Sequence, residues 1–146
     1  MMKDVLIGIN SIHKYGQGEE DSLEFTTDGY YFFDDDVACL SYMESEVTGL
    51  EGTRTSIMAY QDRVVVDRDG VVTSRMIFRQ GEKSSSLYTT PFGAMTMGIS
   101  TGSISRQMDE DGGNLYIDYS VDVENSVVAR NRFHISVKEM GEQIYG

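Results

Sequence analysis

Two side chains of opposite charge, Glu44 and Arg68, stand where apolar residues are expected, on the inner faces of two predicted strands. Each ends a run of alternate apolar positions: Ala38, Leu40 and Tyr42 before Glu44, and Val64 and Val66 before Arg68. An isolated charge is very costly to bury, so we expect the two to pair. A guanidinium in such a place can also bind the carboxylate or phosphate of a ligand.

Three interpretations of this pair stay open. In the first, it is an internal salt bridge that helps to define the fold. In the second, it is the polar anchor of a ligand cavity. The residues predicted to bind that ligand are Arg68, Glu44, Tyr42, Tyr88, Tyr119 and Met76. In the third, both charges lie at a rim, where a surface pair contributes little.

Two further features could belong to a cavity. The methionines at positions 76, 95 and 97 have strand spacing and either line an adaptable pocket or simply fill the core. The loop 47–52 contains two glycines and is either a mobile lid or a rigid connection.

Motifs for metal binding and catalysis are weak in this chain. The two histidines, His13 and His134, lie far apart in sequence, and neither has ligand spacing to Cys39. Residues 67–70 and 109–112 resemble calcium loops superficially, but they lack the twelve-residue ligand pattern and read as turns. We expect no metal and no cofactor. His134 falls on the polar side of its strand, which favours a surface imidazole over a member of a catalytic set.

Alternation of apolar and polar residues runs from end to end and predicts an all-β chain. It is clearest in 114–124 and 127–138. About eight to ten strands joined by short turns imply an antiparallel meander. Closure into a barrel would remove its two exposed edges. We predict a single β-barrel domain over residues 1–140, with a tail at 141–146.

The sequence also predicts local irregularities between and within strands. In the strand 22–33, Asp28-Gly29 is predicted to form a bulge, and Asp34–Asp36 a turn. Asp69-Gly70 is either a turn or a second bulge.

Charge and cysteine usage limit the partners and the compartment. The chain of 146 residues has 24 acidic and 12 basic side chains and a formal charge of −12. Such a balance repels nucleic acid and anionic membrane surfaces, so neither is expected as a partner. Cys39 is the only cysteine and reads as an inert, partly buried thiol. The N-terminal apolar run is too short for a signal peptide. We therefore expect a cytoplasmic protein.

Several motifs resemble those of the YwiB-like family, bacterial proteins of unknown function with a lipocalin-like (calycin) β-barrel. The segment Ser41–Thr53, SYMESEVTGLEGT, is similar to the family signature. Further matches, which extend over nearly the whole chain, are Arg68-Asp69-Gly70, Met76 with Phe78, Tyr88–Gly93 (YTTPFG) and Gly112–Tyr119 (GGNLYIDY). The resemblance implies the barrel and a bacterial, cytosolic setting, and it implies no activity.

Two functions follow as hypotheses. The first is non-enzymatic binding of a small amphipathic or anionic ligand inside the barrel. The second is an interaction module, possibly homodimeric, with a solid interior and a functional outer face. The run Tyr30–Phe33, YYFF, supports the second, because one barrel cannot bury all four side chains. Catalysis ranks below both, since no acid–base or nucleophile set is matched.

Overall fold

The computed structural model describes residues 2–16 and 18–140, and all its regular elements are strands. Their bounds are β1 Lys3–Tyr15, β2 Glu19–Asp34, β3 Val37–Met43, β4 Arg54–Ala59, β5 Val64–Asp69, β6 Ser74–Phe78, β7 Lys83–Thr90, β8 Gly93–Asp109, β9 Gly112–Val123 and β10 Ser126–Glu139. The predicted all-β class is confirmed. The described part of the chain contains no helix that could cross a membrane.

All ten strands form one sheet with antiparallel neighbours, in the order β6-β5-β4-β3-β2-β1-β10-β9-β8-β7. The first and last strands pair at its centre, from Val5 opposite Glu139 to Tyr15 opposite Ala129. Every other pairing joins strands that follow one another in sequence. This is the meander that short turns predict, with the two chain ends joined.

The sheet curls until its two edge strands, β6 and β7, meet along a seam. One pair of residues, Thr73 and Thr89, exchanges backbone hydrogen bonds of 2.9 Å across it. Elsewhere the Ser84 hydroxyl donates to the Ile77 carbonyl at 2.7 Å, and the Ser86 hydroxyl donates to the Arg75 carbonyl at 2.9 Å. The barrel is therefore nearly closed, and two serine side chains replace part of the missing ladder.

Alternate residues of the strands point inward and form a continuous apolar core. Its largest fully buried side chain is Tyr31, whose hydroxyl donates to the Asp109 carbonyl at 2.6 Å. Burial, reinforced by the nearby Asp109, raises the pKa of Tyr31 to about 12. Phe78 packs edge-on against Tyr119, with ring centroids 4.8 Å apart. Tyr31 and Phe33 of the run YYFF contact this core, while Tyr30 is 46% exposed.

The predicted bulge at Gly29 is wrong. The register of β1 with β2 is uninterrupted along the whole length of β1. A Cβ on Gly29 would lie 2.5 Å from the Ser41 carbonyl oxygen and would also collide with the Ile7 side chain. The glycine is needed because β3 approaches β2 closely there, while the strand itself stays regular.

Turns account for the other two predicted irregularities. The turn at Asp34–Asp36 is confirmed, and Asp35 and Asp36 take positive φ angles of 51° and 62°, as a type I′ hairpin requires. Asp69-Gly70 begins the turn from β5 to β6, so it is no bulge, and Arg68 lies opposite Ser74. Alternate residues after this turn are again buried; they are Val72, Ser74, Met76 and Phe78.

Candidate functional site

Glu44 and Arg68 meet inside the barrel. Glu44 lies just beyond the end of β3, where its backbone amide donates to the Thr53 carbonyl at 2.8 Å. Arg68 lies near the end of β5, and its Nε is 3.9 Å from Glu44 Oε2. The side chains of Arg68 and Glu44 are 19% and 2% exposed, respectively. The location excludes the rim interpretation and leaves the internal salt bridge and the ligand anchor.

The Glu44 carboxylate is already satisfied by hydroxyl groups. Thr48 in the following loop donates to Oε1 at 2.9 Å, and Thr55 on β4 donates to Oε2 at 2.5 Å. Arg68 stands at charge-pairing distance but beyond hydrogen-bonding distance from the same Oε2. The carboxylate therefore attracts the guanidinium without occupying its donor at Nε.

Two polar atoms beside this pair have no hydrogen-bond partner among residues 2–16 and 18–140. Arg68 Nε is one, and the Oγ of Ser74, directly opposite Arg68 in register, is the other. Buried polar groups in native proteins are almost always hydrogen-bonded, so two adjacent exceptions are unusual. A cationic donor next to a free hydroxyl is an arrangement that suits an oxyanion.

Two tyrosines surround the charges. Tyr42, which precedes Glu44 on the same face, is 3% exposed, and burial followed by the negative charge of Glu44 raises its pKa. Burial also raises the pKa of Tyr119, while the nearby Arg68 works in the opposite direction. Both phenols therefore stay protonated at neutral pH and can donate hydrogen bonds.

The other residues predicted to line a cavity differ in how deeply they are buried. Met76 is 7% exposed and belongs to the core. Tyr88 is half-buried on β7, one residue before the Thr89 of the seam, and its role as a ligand contact stays a prediction. Met95 lies opposite Tyr88 and is 49% exposed, so it does not line an enclosed pocket. Met97 is partly buried.

A cleft of about 520 Å³ leads towards the pair from outside, and only the tertiary structure reveals it. It lies on the outer side of β4 to β7, at the end of the seam held by Thr73 and Thr89, and its walls include Arg68 and Ser74. The cleft reaches Arg68 beside the Thr73–Thr89 bridge, the point at which backbone hydrogen bonds join the two edge strands.

The loop after Glu44 consists of hydrogen-bonded turns. Thr48 and Gly49 donate backbone hydrogen bonds to the carbonyls of Ser45 and Glu46, at 3.2 Å and 3.1 Å. The Thr48 hydroxyl also ties the loop to the buried carboxylate. These contacts favour the rigid connection over the mobile lid, because opening would remove a donor from Glu44.

Histidines and cysteine lie apart from the pair. His134 stacks on Tyr116 on the outer face, with centroids 4.2 Å apart, which agrees with the predicted surface imidazole. His13 hydrogen-bonds to Asn131 and Ser11, a contact that the sequence spacing could not suggest. Burial raises the pKa of Cys39, which keeps it a thiol at neutral pH. Within the described ranges, no three His, Cys, Asp or Glu side chains are grouped as metal ligands.

The fold and this buried pair define an antiparallel β-barrel protein with a polar group in its interior. Residues 7–135 match the family model described as "Domain of unknown function (DUF1934)", and the chain belongs to that family. It is similar to the "Uncharacterized beta-barrel protein YwiB" of Bacillus subtilis (strain 168), with 30% identity over 106 residues that cover 73% of each protein. The crystal structure of ywiB protein from Bacillus subtilis superimposes with a TM-score of 0.84 at 25% identity, and the match covers 94% of this chain and 92% of that one.

These matches confirm the family that the motifs suggested and its barrel architecture. Neither the family model nor the relative has a stated activity. Function must therefore be inferred from the buried pair and from the surface.

Proposed function

We propose that this protein is a non-enzymatic barrel that binds a small amphipathic anion, with Arg68 as its charged anchor. The observation that carries the proposal is the buried Nε of Arg68, which has no hydrogen-bond partner in the described chain and lies opposite the equally unpartnered hydroxyl of Ser74. A ligand carboxylate or phosphate would satisfy both groups.

The surroundings fit the two ends of such a ligand. The protonated phenol of Tyr119 supplies a further donor near Arg68, while the phenol of Tyr42 interacts with Glu44 and Thr55 and so helps to hold the carboxylate in place. The exposed side chain of Leu87, which lines the same cleft as Arg68 and Ser74, supplies apolar surface for the rest of the molecule, whereas Met76 and Phe78 are packed in the core behind it. Binding is favoured over catalysis because His13 and His134 have other partners and neither is placed beside the charged pair.

The structural salt bridge is the competing role for Arg68, and Arg106 provides a matched control. Arg106 is similarly buried, with its side chain 15% exposed, and it donates to the carbonyls of Asp36 and Ala59 at 2.7 Å and 2.9 Å. This arginine is fully engaged in holding the turn before β3 and the end of β4. Its loss should therefore affect stability alone, whereas loss of Arg68 should affect binding as well.

Native mass spectrometry of protein purified gently from its own cytosol tests the proposal. We expect a reproducible extra mass on the folded wild-type protein, identified after denaturing release. Arg68→Met should lose this mass and, because it leaves the buried Glu44 carboxylate without its cation, about 3 kcal/mol of stability as well. Arg106→Met should keep the mass and lose about 3 kcal/mol. A clean apo mass for the wild type, or equal loss of ligand in both variants, would contradict the anchor role.

A second candidate, association through the outer face, has an observation of its own. An apolar row crosses β2 to β6 in register on that face, and it consists of Phe32, Cys39, Met58, Val65 and Ile77. Val65 is only 7% exposed although it points outward, because its neighbours in the row cover it. The proportion of dimer in the same native spectra, measured over a range of concentrations, tests this candidate; a strict monomer at high concentration would rule against it.

For the setting we propose the cytoplasm, with neither nucleic acid nor membrane as a partner. The acidic balance and the single cysteine support this.

A further inference from the structure

A second cleft, of about 620 Å³, lies on the outer face of the sheet, across β1, β10, β9 and β8. Outward-facing residues of six neighbouring strands stand side by side along it. Across β2, β1, β10, β9, β8 and β7, in that spatial order, the residues paired in register are Glu20, Lys14, Arg130, Ser120, Ser100 and Lys83. Neither Arg68 nor Glu44 lines the cleft, so its charged groups are distinct from those of the barrel site, although Tyr119 contributes to both.

Basic residues are concentrated there in an otherwise acidic chain. Four of the 12 lysines and arginines line the cleft: Lys14, Lys83, Arg130 and Arg132. Three of them have a carboxylate partner, in the pairs Lys14–Glu20 at 3.8 Å, Lys83–Asp122 at 3.0 Å and Arg132–Asp118 at 3.1 Å. Arg130 has no ion pair or side-chain hydrogen bond within the described ranges. It also lies directly opposite Lys14, and like charges in that position destabilise a sheet.

Small residues form the floor between these long side chains. Ser100, Gly102 and Ser120 leave hydroxyl and backbone groups accessible at the centre of the cleft. Thr101, which also lines it, lies opposite Tyr119 in register and is 4% exposed, so its hydroxyl faces the barrel interior and the donors of the cleft are the two serines. The cleft thus combines an unmatched guanidinium with hydroxyl donors, and its volume lies in the usual range of small-molecule sites.

We propose that this cleft binds a small organic phosphomonoester, with its phosphate between Arg130 and Lys14. The guanidinium can hold two phosphate oxygens in a planar, bidentate manner, and the Lys14 ammonium adds a point charge from the neighbouring strand. The Ser120 hydroxyl lies next to Arg130 in register and can donate to a third oxygen. The anion relieves the repulsion between the two cations, and the organic part lies over the floor towards Ser100.

Amide NMR spectra recorded during titration with phenyl phosphate, at constant ionic strength, test this proposal. We expect saturable shifts centred on the amides of Lys14, Ser120 and Arg130. Arg130→Gln should weaken the affinity about tenfold or more, because it removes charge-assisted hydrogen bonds. Lys138→Gln is the matched control, since it removes one positive charge from an exposed residue of the same strand and face, outside the cleft. It should leave the affinity unchanged.

Two further titrations distinguish phosphate binding in this cleft from binding inside the barrel and from binding of any aromatic anion. Arg68→Met should retain the phenyl phosphate response, so failure of the barrel proposal and failure of this one give different results. Phenylacetate should bind more weakly than phenyl phosphate; tighter binding would overturn the phosphate assignment. The proposal also fails if shifts do not saturate, spread over basic residues throughout the surface, or persist equally in Arg130→Gln and Lys138→Gln.

Discussion

The seam between β6 and β7 yields the sharpest test of how this barrel closes. Ser86 is 3% exposed, and its hydroxyl donates to the Arg75 carbonyl across the seam at 2.9 Å. Ser86→Ala removes the hydroxyl donor. The Arg75 carbonyl then lacks this hydrogen bond at a position that water reaches poorly. The net value of one such bond is about 1 kcal/mol, and leaving a buried partner unsatisfied raises the cost to about 1–3 kcal/mol.

The neighbouring Ser85 provides a control substitution on the same strand. Ser85 lies between Ser84 and Ser86 but faces outward and is exposed, so Ser85→Ala should change stability by less than about 0.5 kcal/mol. Urea unfolding measures both variants, with a midpoint shift expected only for Ser86→Ala. Hydrogen exchange should also speed up in β6 and β7 in that variant, because the seam opens more easily. Equal stability of the two variants would refute closure by serine hydroxyls.

The remaining predictions concern the interior. Because the pKa of Tyr31 is about 12 in the folded protein against an ordinary value of 10.0, its stabilising contribution is complete below about pH 10 and is lost as pH rises towards 12. Tyr31→Phe should therefore reduce the loss of stability between pH 10 and 12, measured by urea unfolding, and a slope identical to wild type would contradict this. Gly29→Ala should cost about 1–3 kcal/mol, because the added methyl group collides with the Ser41 carbonyl. A thermal midpoint equal to that of the wild type would show that β3 can move away.

The charged pair illustrates why a buried ion pair alone says little about stability. Glu44 is stabilised by the hydroxyls of Thr48 and Thr55, while Arg68 approaches it without a hydrogen bond. A pair that served only to hold strands together would be expected to form direct bonds, as Arg106 does with Asp36 at 3.0 Å. This difference between two arginines of similar burial is the physical reason to assign them different roles.

The sequence alone determined which faces of the strands are buried. The alternation in 114–124 predicted one apolar face, and two of its members, Leu115 and Ile117, are fully or almost fully buried in β9. It also placed Glu44 and Arg68 on the apolar faces of their strands, because side-chain direction has a period of two along a strand and needs no knowledge of the partner strand, but it left open whether the pair lies in the interior or at a rim. Closure of the meander predicted the barrel, the family motifs supported it, and the matches confirm it.

Tertiary structure decided everything that depends on which residues stand opposite each other. Gly29 looked like a bulge because a strand glycine often marks one, yet it is required by the approach of Ser41 from β3. The missing bond at Arg68 Nε likewise depends on which groups the folded sheet brings around it, and the repulsion between Lys14 and Arg130 arises across strands that are distant in sequence. Periodicity specifies the face of a residue, but register and sheet curvature specify its neighbours, and these are set only when the whole sheet pairs and closes.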